Sequence, residues 1–200
     1  RFPLPRAEIN KILATSRPLF GKGGLMSLLA PTRAQYAGIV TIQEYPSITC
    51  PGILNDLLGM PFEFVLAQSF TFLSKPVAIG RMKRQQARMV NAGDVAISQI
   101  ADIDDALDDL TSNSFVMGAH SLCLIIRADD KKSLNDHINE AGAALSDGGM
   151  KWSRESIGLA GAFWSQLPGN FEYRANVGDI TSRNFSGFSS YHNYPIGRIR

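Results

Sequence analysis

Phe62-Glu63-Phe64-Val65-Leu66-Ala67-Gln68-Ser69-Phe70-Thr71-Phe72 is the stretch from which the fold can be read. Phe62, Phe64, Leu66, Phe70 and Phe72 fall on alternate positions, with Glu63, Ser69 and Thr71 between them. Side chains along a β-strand point alternately to opposite faces, so this spacing predicts a strand with one strongly apolar face. Gln68 is the odd member of the apolar set.

Working outward, Tyr36, Val40 and Ile42 alternate with Thr41 and Gln43, which predicts a first strand from about Gln35 to Tyr45, closed by Pro46. Pro51 to Leu58 is a short helix ending at Gly59. Beyond Phe72 the pattern turns helical from Ser74 to Leu110, broken at Asn91-Ala92-Gly93-Asp94, which predicts a helical hairpin. Phe115 to Arg127 returns to a strand whose Leu122-Cys123-Leu124-Ile125-Ile126 run is apolar on both faces, as in the middle of a sheet. Asp129 is placed to cap a helix from Asp130 to about Leu145, ended by Gly148-Gly149. Met150 to Glu155 reads as a fourth strand and Ser156 to Gln166 as a helix. The chain opens with a helix from Arg6 to Ser16, stopped at Arg17-Pro18, and then a flexible link, Gly21-Lys22-Gly23-Gly24.

The order strand, helix, strand, helical hairpin, strand, helix, strand describes an α/β (α+β) chain with a ferredoxin-like two-layer sandwich and extra N- and C-terminal helices. Three parts follow: an N-terminal helix and linker over residues 1–34, a ferredoxin-like core over 35–156 with the hairpin inserted at about 74–111, and C-terminal helices over 157–200.

The 200 residues are 44% hydrophobic and 19% charged, the composition of a globular chain with a core of its own. A net charge of +2 is too mild for the clustered basic footprint of a nucleic-acid binder. The apolar runs are strand-sized, short of the roughly 18 residues of a transmembrane helix. Cys50 and Cys123 are far apart and fit free thiols in a reducing compartment. The start Arg1-Phe2-Pro3-Leu4-Pro5, without an initiator Met or a signal-peptide pattern, reads as an excised piece of a longer protein.

A phosphate-cradling loop needs Gly-x-x-x-x-Gly-Lys followed by Ser or Thr, and Gly21-Lys22-Gly23-Gly24 lacks both the hydroxyl and the upstream glycine. His120, His137 and His192 have no metal-ligand spacing and are expected in structural or surface roles. Asp102-Ile103-Asp104-Asp105-Ala106-Leu107-Asp108-Asp109 lacks the glycine and terminal glutamate of a calcium loop and reads as a solvated helix face. Arg81, Arg84 and Arg88 share a face of the preceding helix, and pairing of the carboxylate segment with Lys83, Arg84 and Arg88 across the hairpin is expected. The basic face on Arg81-Met82-Lys83-Arg84 could also meet anionic lipid, at about 1 kcal/mol per basic residue. No catalytic, cofactor or metal residues are assigned.

Leu167-Pro168-Gly169-Asn170 can be read physically as a tight turn, because Pro168 fixes φ and Gly169 permits φ > 0. With its flanks, Phe163-Trp164-Ser165-Gln166 before and Phe171-Glu172-Tyr173-Arg174 after, and with Ser182-Arg183-Asn184-Phe185 and Tyr191-His192-Asn193 downstream, it resembles the N-terminal region of the type IV secretion and conjugative-transfer ATPases, the CagE/TrbE/VirB group. Thr41-Ile42-Gln43-Glu44-Tyr45-Pro46, Gly52-Ile53-Leu54-Asn55-Asp56-Leu57-Leu58, Gln68-Ser69-Phe70-Thr71-Phe72 and Gly118-Ala119-His120 are similar to the same region in the same order.

The resemblance implies a non-catalytic docking and assembly domain at the cytoplasmic face of the bacterial inner membrane, with ATP and Mg bound by a later RecA-like motor domain. Its implied partners are inner-membrane components of a type IV secretion channel and neighbouring ATPase subunits, with peripheral membrane contact and no direct nucleic acid. The candidate interface residues are Leu167, Pro168, Gly169, Asn170, Arg174, His192, Asn193, Arg81, Arg84 and Arg88. The alternative reading is a stand-alone ferredoxin-like ligand-binding or small-substrate enzyme domain with a pocket at the aromatic face of the 62–72 strand.

Overall fold

A computed structural model describes residues 16–91 and 97–189. The chain builds a mixed α/β structure around a curled antiparallel sheet. In chain order the elements are β1 (Arg17–Phe20), β2 (Met26–Leu29), β3 (Ala34–Glu44), α1 (Asn55–Leu58), β4 (Phe64–Phe72), α2 (Lys75–Asn91), α3 (Ile97–Thr111), β5 (Met117–Ala128), α4 (Lys131–Asp147), β6 (Lys151–Arg154), α5 (Leu159–Trp164), β7 (Gly178–Thr181) and α6 (Ser182–Gly187).

The sheet runs β1-β2-β3-β5-β4, with β6 also on β3 and β7 also on β5. Every pairing is antiparallel. β5 is the spine: one edge carries β4 from Phe64↔Ile126 to Phe72↔Gly118, and the other carries first β7 and then β3. β3 also divides an edge, with β2 along residues 34–37 and β6 beyond Val40, and its register shifts between Ile42 and Glu44. Such a shift bends a strand, and here it turns Tyr45 back toward β5.

Both faces of β5 are buried, as its unbroken apolar run requires. One face holds Val40, Ile42, Leu122, Leu124 and Ile126 under Leu134, Ile138, Ala141 and Leu145 of α4. The opposite face holds Met26, Leu28, Ala37, Ile39, Cys123 and Ile125, from β2, β3 and β5 side by side, under Leu159 and Ala162 of α5. Burying each such aliphatic side chain is worth roughly 1.5–3 kcal/mol, so this double layer is the main stabilising term. α4 starts at Asp130, whose carboxylate accepts from the Lys132 and Ser133 amides, one residue beyond the cap expected at Asp129. Its Gly142 lies against the Trp152 ring, where an added Cβ would stand 2.0 Å from the indole. A third cluster, Ala78, Leu110, Phe115 and Met117, seats the α2–α3 hairpin.

The four core strands, the hairpin and α4 lie where the hydrophobic periodicity places them, and three local features differ. In place of the flexible link expected after residue 16, β1 and β2 form a hairpin closed by the Gly21 amide on the Leu25 carbonyl, 2.8 Å. Gly23 and Gly24, at φ 67° and 71°, supply the backbone such a turn demands rather than slack. Only Asn55–Leu58 of the expected 51–58 helix is α-helical, with a turn before it. The C-terminal part includes β7 as well as helices; four residues with Ile180 alone buried give too short a signal to be seen in sequence. The helix expected at Arg6 to Ser16 lies, apart from its last residue, outside the described residues.

Candidate functional site

Three polar groupings emerge. The first is inside the sheet. His120 of β5, fully buried, places Nδ1 2.8 Å from the Tyr45 hydroxyl and Nε2 3.2 Å from Gln68 Oε1. Gln68 Nε2 donates to the Phe188 carbonyl at 3.1 Å, which orients the amide and sets its oxygen against His120. His120 therefore donates through Nε2, leaving Nδ1 to accept from the tyrosine, the pattern of a neutral imidazole. Phe188 stacks on the ring with 23° between planes, and Phe185 covers another side. Burial, assisted by the positive charge of Arg174, pushes the His120 pKa down to about 4, and burial pushes the Tyr45 hydroxyl up. Both groups are locked neutral, an arrangement suited to holding structure and unsuited to exchanging protons near neutral pH.

Gln68 of β4, His120 of β5 and Tyr45, one residue past the end of β3, each lie within a segment that carried the family resemblance. They were not among the candidate site residues. The available signal was Gln68, the polar interruption of an otherwise apolar face: a buried amide needs partners, and His120 and the Phe188 carbonyl supply them.

The second grouping lies on the opposite face, where the Leu167–Asn170 turn follows α5. Gly169 sits at φ 85° with open space around its missing Cβ, so the backbone angle, not crowding, calls for glycine. The Asn170 amide closes the turn on the Leu167 carbonyl at 3.1 Å, and its side chain donates to the Trp164 carbonyl at 3.0 Å, tying the turn to the end of α5. Arg174 reaches β4 through Nη1, 3.1 Å from Ser69 Oγ and 3.0 Å from Thr71 Oγ1, while its Nε donates to the Phe171 carbonyl. Leu167, Pro168, Phe171 and Arg174 close a cavity of about 380 Å³ over Val65, Ala67, Ser69, Ser121, Cys123 and Ser165.

The chemistry of that cavity is quiet. Burial pushes the Cys123 thiol up, against the opposing hydrogen bonds of Ser165 and Ser121. A thiol so held is a weak nucleophile. His120, three residues from Cys123 along β5 and so of opposite parity, belongs to the other face of the strand, and no imidazole among the described residues serves the thiol. The cavity lies beside the Ser/Ala/Val face of β4 rather than the aromatic face, where the alternative enzyme reading expected a pocket; there Phe70 stacks on Phe185 at 4.6 Å.

The third grouping is exposed. Arg81, Arg84 and Arg88 line one side of a groove of about 690 Å³, with Met82, Gln85, Ile103, Met117 and Asp179 completing it. Arg81 pairs with Asp179 of β7 at 2.5 Å. Arg84 and Arg88 have no ion-pair partner among the described residues. The expected pairing of Lys83, Arg84 and Arg88 with the aspartates of α3 is not what forms among the described residues. Asp109 pairs with Arg183 of α6 at 2.9 Å, and the cross-hairpin hydrogen bond is neutral on one side, from Gln86 to Asp104 at 2.8 Å. The reason is rotation of the helices: the arginine face of α2 turns toward β7, and Asp109 turns toward α6.

Thus the structure brings Leu167 to Asn170 together with Arg174, and Arg81 with Arg84 and Arg88, at separate places. His192 and Asn193 lie outside the described residues. Among the described residues no group of His, Cys, Asp or Glu is placed to hold a metal ion, and no helix is long and apolar enough to cross a membrane.

Comparison with known proteins supplies the context. The chain is 46% identical to the type IV secretion system protein virB4 of Bartonella quintana (strain Toulouse) over 199 residues, all of this chain but 25% of that protein. It is 42% identical to protein virB4 of Rhizobium radiobacter over 98% of its length, again 25% of the relative. It is 35% identical to the type IV secretion system protein PtlC of Bordetella pertussis (strain Tohama I), over 98% of this chain and 24% of that protein. The chain thus spans about a quarter of the length of the curated relatives it matches. Residues 1–176 match the model of the CagE, TrbE, VirB family, component of type IV transporter system, and the chain belongs to that family.

Proposed function

We propose that the chain is the non-catalytic N-terminal docking and assembly region of an ATPase that powers a type IV secretion channel or its pilus. The observation that carries this reading is the Arg81–Arg84–Arg88 groove. Two guanidiniums without protein counter-charges flank an apolar floor of Met82, Ile103 and Met117, in a family whose members serve multicomponent transporters. Arginine beside apolar surface is the composition of contact sites between proteins. Among the described residues the buried His120, Tyr45 and Cys123 are held neutral and inactive, and the sequence carries no phosphate-binding loop of the Gly-x-x-x-x-Gly-Lys-Ser/Thr kind.

Support for a ferredoxin-like core comes from the strand order β6-β3-β5-β4, antiparallel throughout, with α4 crossing from β5 to β6 and packing on one face. The partners are inner-membrane channel components and neighbouring ATPase subunits, met at the cytoplasmic face of the bacterial inner membrane. Nucleotide chemistry is the task of the rest of the parent protein.

Thermal unfolding of the chain with and without Mg-ATP tests the non-catalytic part. A ligand at 100 times its Kd would add ~2.7 kcal/mol, so a rise of several degrees contradicts the reading and an unchanged transition supports it. Liposome flotation at low salt tests the contact with anionic lipid as the groove's target, and binding there in preference to channel proteins would replace the docking reading.

A further inference from the structure

β4 closes the end of the sheet, and its outer edge has no strand beside it among the described residues. The Arg127 amide donates to the Glu63 carbonyl at 3.0 Å, and the Leu73 amide to the Met117 carbonyl at 2.9 Å. Hydrogen-bonded pairs alternate along an antiparallel ladder. Odd-numbered residues from 63 to 73 therefore turn their amides and carbonyls to β5, and Phe64, Leu66, Gln68, Phe70 and Phe72 turn theirs outward. Exposed edges are ordinarily blunted by proline, lysine, a bulge or a short strand. β4 has nine residues in unbroken register, without proline, lysine or arginine.

The chemical pattern of this edge is preserved when it is read in either direction. About Gln68, Phe64 mirrors Phe72 and Leu66 mirrors Phe70 on one face, while Val65 mirrors Thr71 and Ala67 mirrors Ser69 on the other. We infer that β4 pairs antiparallel with β4 of a second copy across a two-fold axis at Gln68, joining two sheets into one.

The hydrogen-bond phase fits this register. Residues that mirror each other about Gln68 share parity, so the outward groups of Phe64 meet those of Phe72 of the second copy, Leu66 meets Phe70, and Gln68 meets itself. Aromatic and aliphatic side chains come opposite one another, β-branched faces β-branched, small faces small, and no like charges oppose. A slip by two residues would set Gln68 against an apolar side chain, and a slip by one would bring inward-bonded groups to the edge. The exposed end of the strand matters most, since Phe72 is 72% exposed and would be covered by Phe64 of the second copy. This surface is separate from the arginine groove, so loss of either proposal leaves the other standing.

The test is sedimentation of the full 200-residue chain from low to high micromolar concentration, with hydrogen exchange at both extremes. The expected result is a dimer. In it the amides of residues 64, 66, 68, 70 and 72 slow as concentration rises, and the odd-numbered amides of β4 are slow throughout. Phe72→Pro removes an outward amide that the β5 ladder does not use, an edge substitution that sheets tolerate, and Phe72→Lys sets a charge against an aromatic ring. Each should weaken dimerisation about tenfold or more, which corresponds to ~1.4 kcal/mol, with the odd-numbered amides still protected. A monomer at every concentration, or a dimer whose even-numbered amides exchange at a constant rate, overturns the inference. Protection that comes only on adding another secretion component also overturns it, by making that component the strand donor.

Discussion

The Tyr45–His120–Gln68 network and the Arg81–Arg84–Arg88 groove are both built of polar side chains, and burial gives them opposite uses. In the network Tyr45, His120 and Gln68 each find a hydrogen-bond partner inside the protein, so the groups are spent on holding β4, β5, the end of β3 and Phe188 in one arrangement. In the groove Arg81 is spent on the fold, through Asp179, while Arg84 and Arg88 are exposed and have no ion-pair partner among the described residues. A polar residue next to a family-like motif is thus no guide to function until its partners are counted. The first set should fail by unfolding and the second by losing contacts.

The sharpest break in that contrast would be His120→Ala. It leaves Gln68 and Tyr45 unsatisfied around a new cavity, so urea unfolding should show a loss of ~3–4 kcal/mol. Next is acid. Because the folded His120 pKa is lowered to about 4 while the unfolded ring titrates near its ordinary value, the stability it contributes is complete above pH ~6.5 and falls progressively as pH drops toward about 4. The full loss is about 3 kcal/mol, measured as denaturation midpoints across that window; a flat profile would mean the ring is protonated in the folded state. Tyr45→Phe keeps the ring packing against Phe188 and removes one donor, for an expected cost of ~1–2 kcal/mol by the same measurement. The smallest stability effect belongs to the groove: Arg84→Glu with Arg88→Glu should move unfolding by no more than ~0.5 kcal/mol.

Much of the sheet was legible because β3 and β5 bury long stretches and β4 packs its aromatic face half-buried against the core, and burial imposes a periodicity that a sequence displays. β1, β2 and β7 escaped for a physical reason: strands of four residues with at most two buried side chains leave hardly one period to read. The turn Leu167–Asn170 was readable from its backbone chemistry alone, since proline followed by glycine encodes dihedrals locally. Its position over Cys123 was not, because that depends on where α5 docks. Side-chain partners fared worst. Helical spacing correctly put Arg81, Arg84 and Arg88 on one face, but it carries no information on the rotation of that helix against its neighbours. Asp179 lies 98 residues from Arg81, and only the fold brings them together. The network was half visible, in the polar Gln68 amid an apolar set, while Tyr45 reaches it only because β3 shifts register after Ile42.

The central claim, that exposed arginines on the hairpin dock the chain to its machine, is most directly tested by capture of inner-membrane channel components from the secretion system of the same cell. Wild-type chain and the Arg84→Glu, Arg88→Glu double variant would be compared at matched concentration, with thermal unfolding recorded in parallel. The account predicts that the wild type retains at least one such component and that the double variant retains it about tenfold less at an unchanged melting transition. Equal retention by the two proteins, or retention by neither, would contradict it.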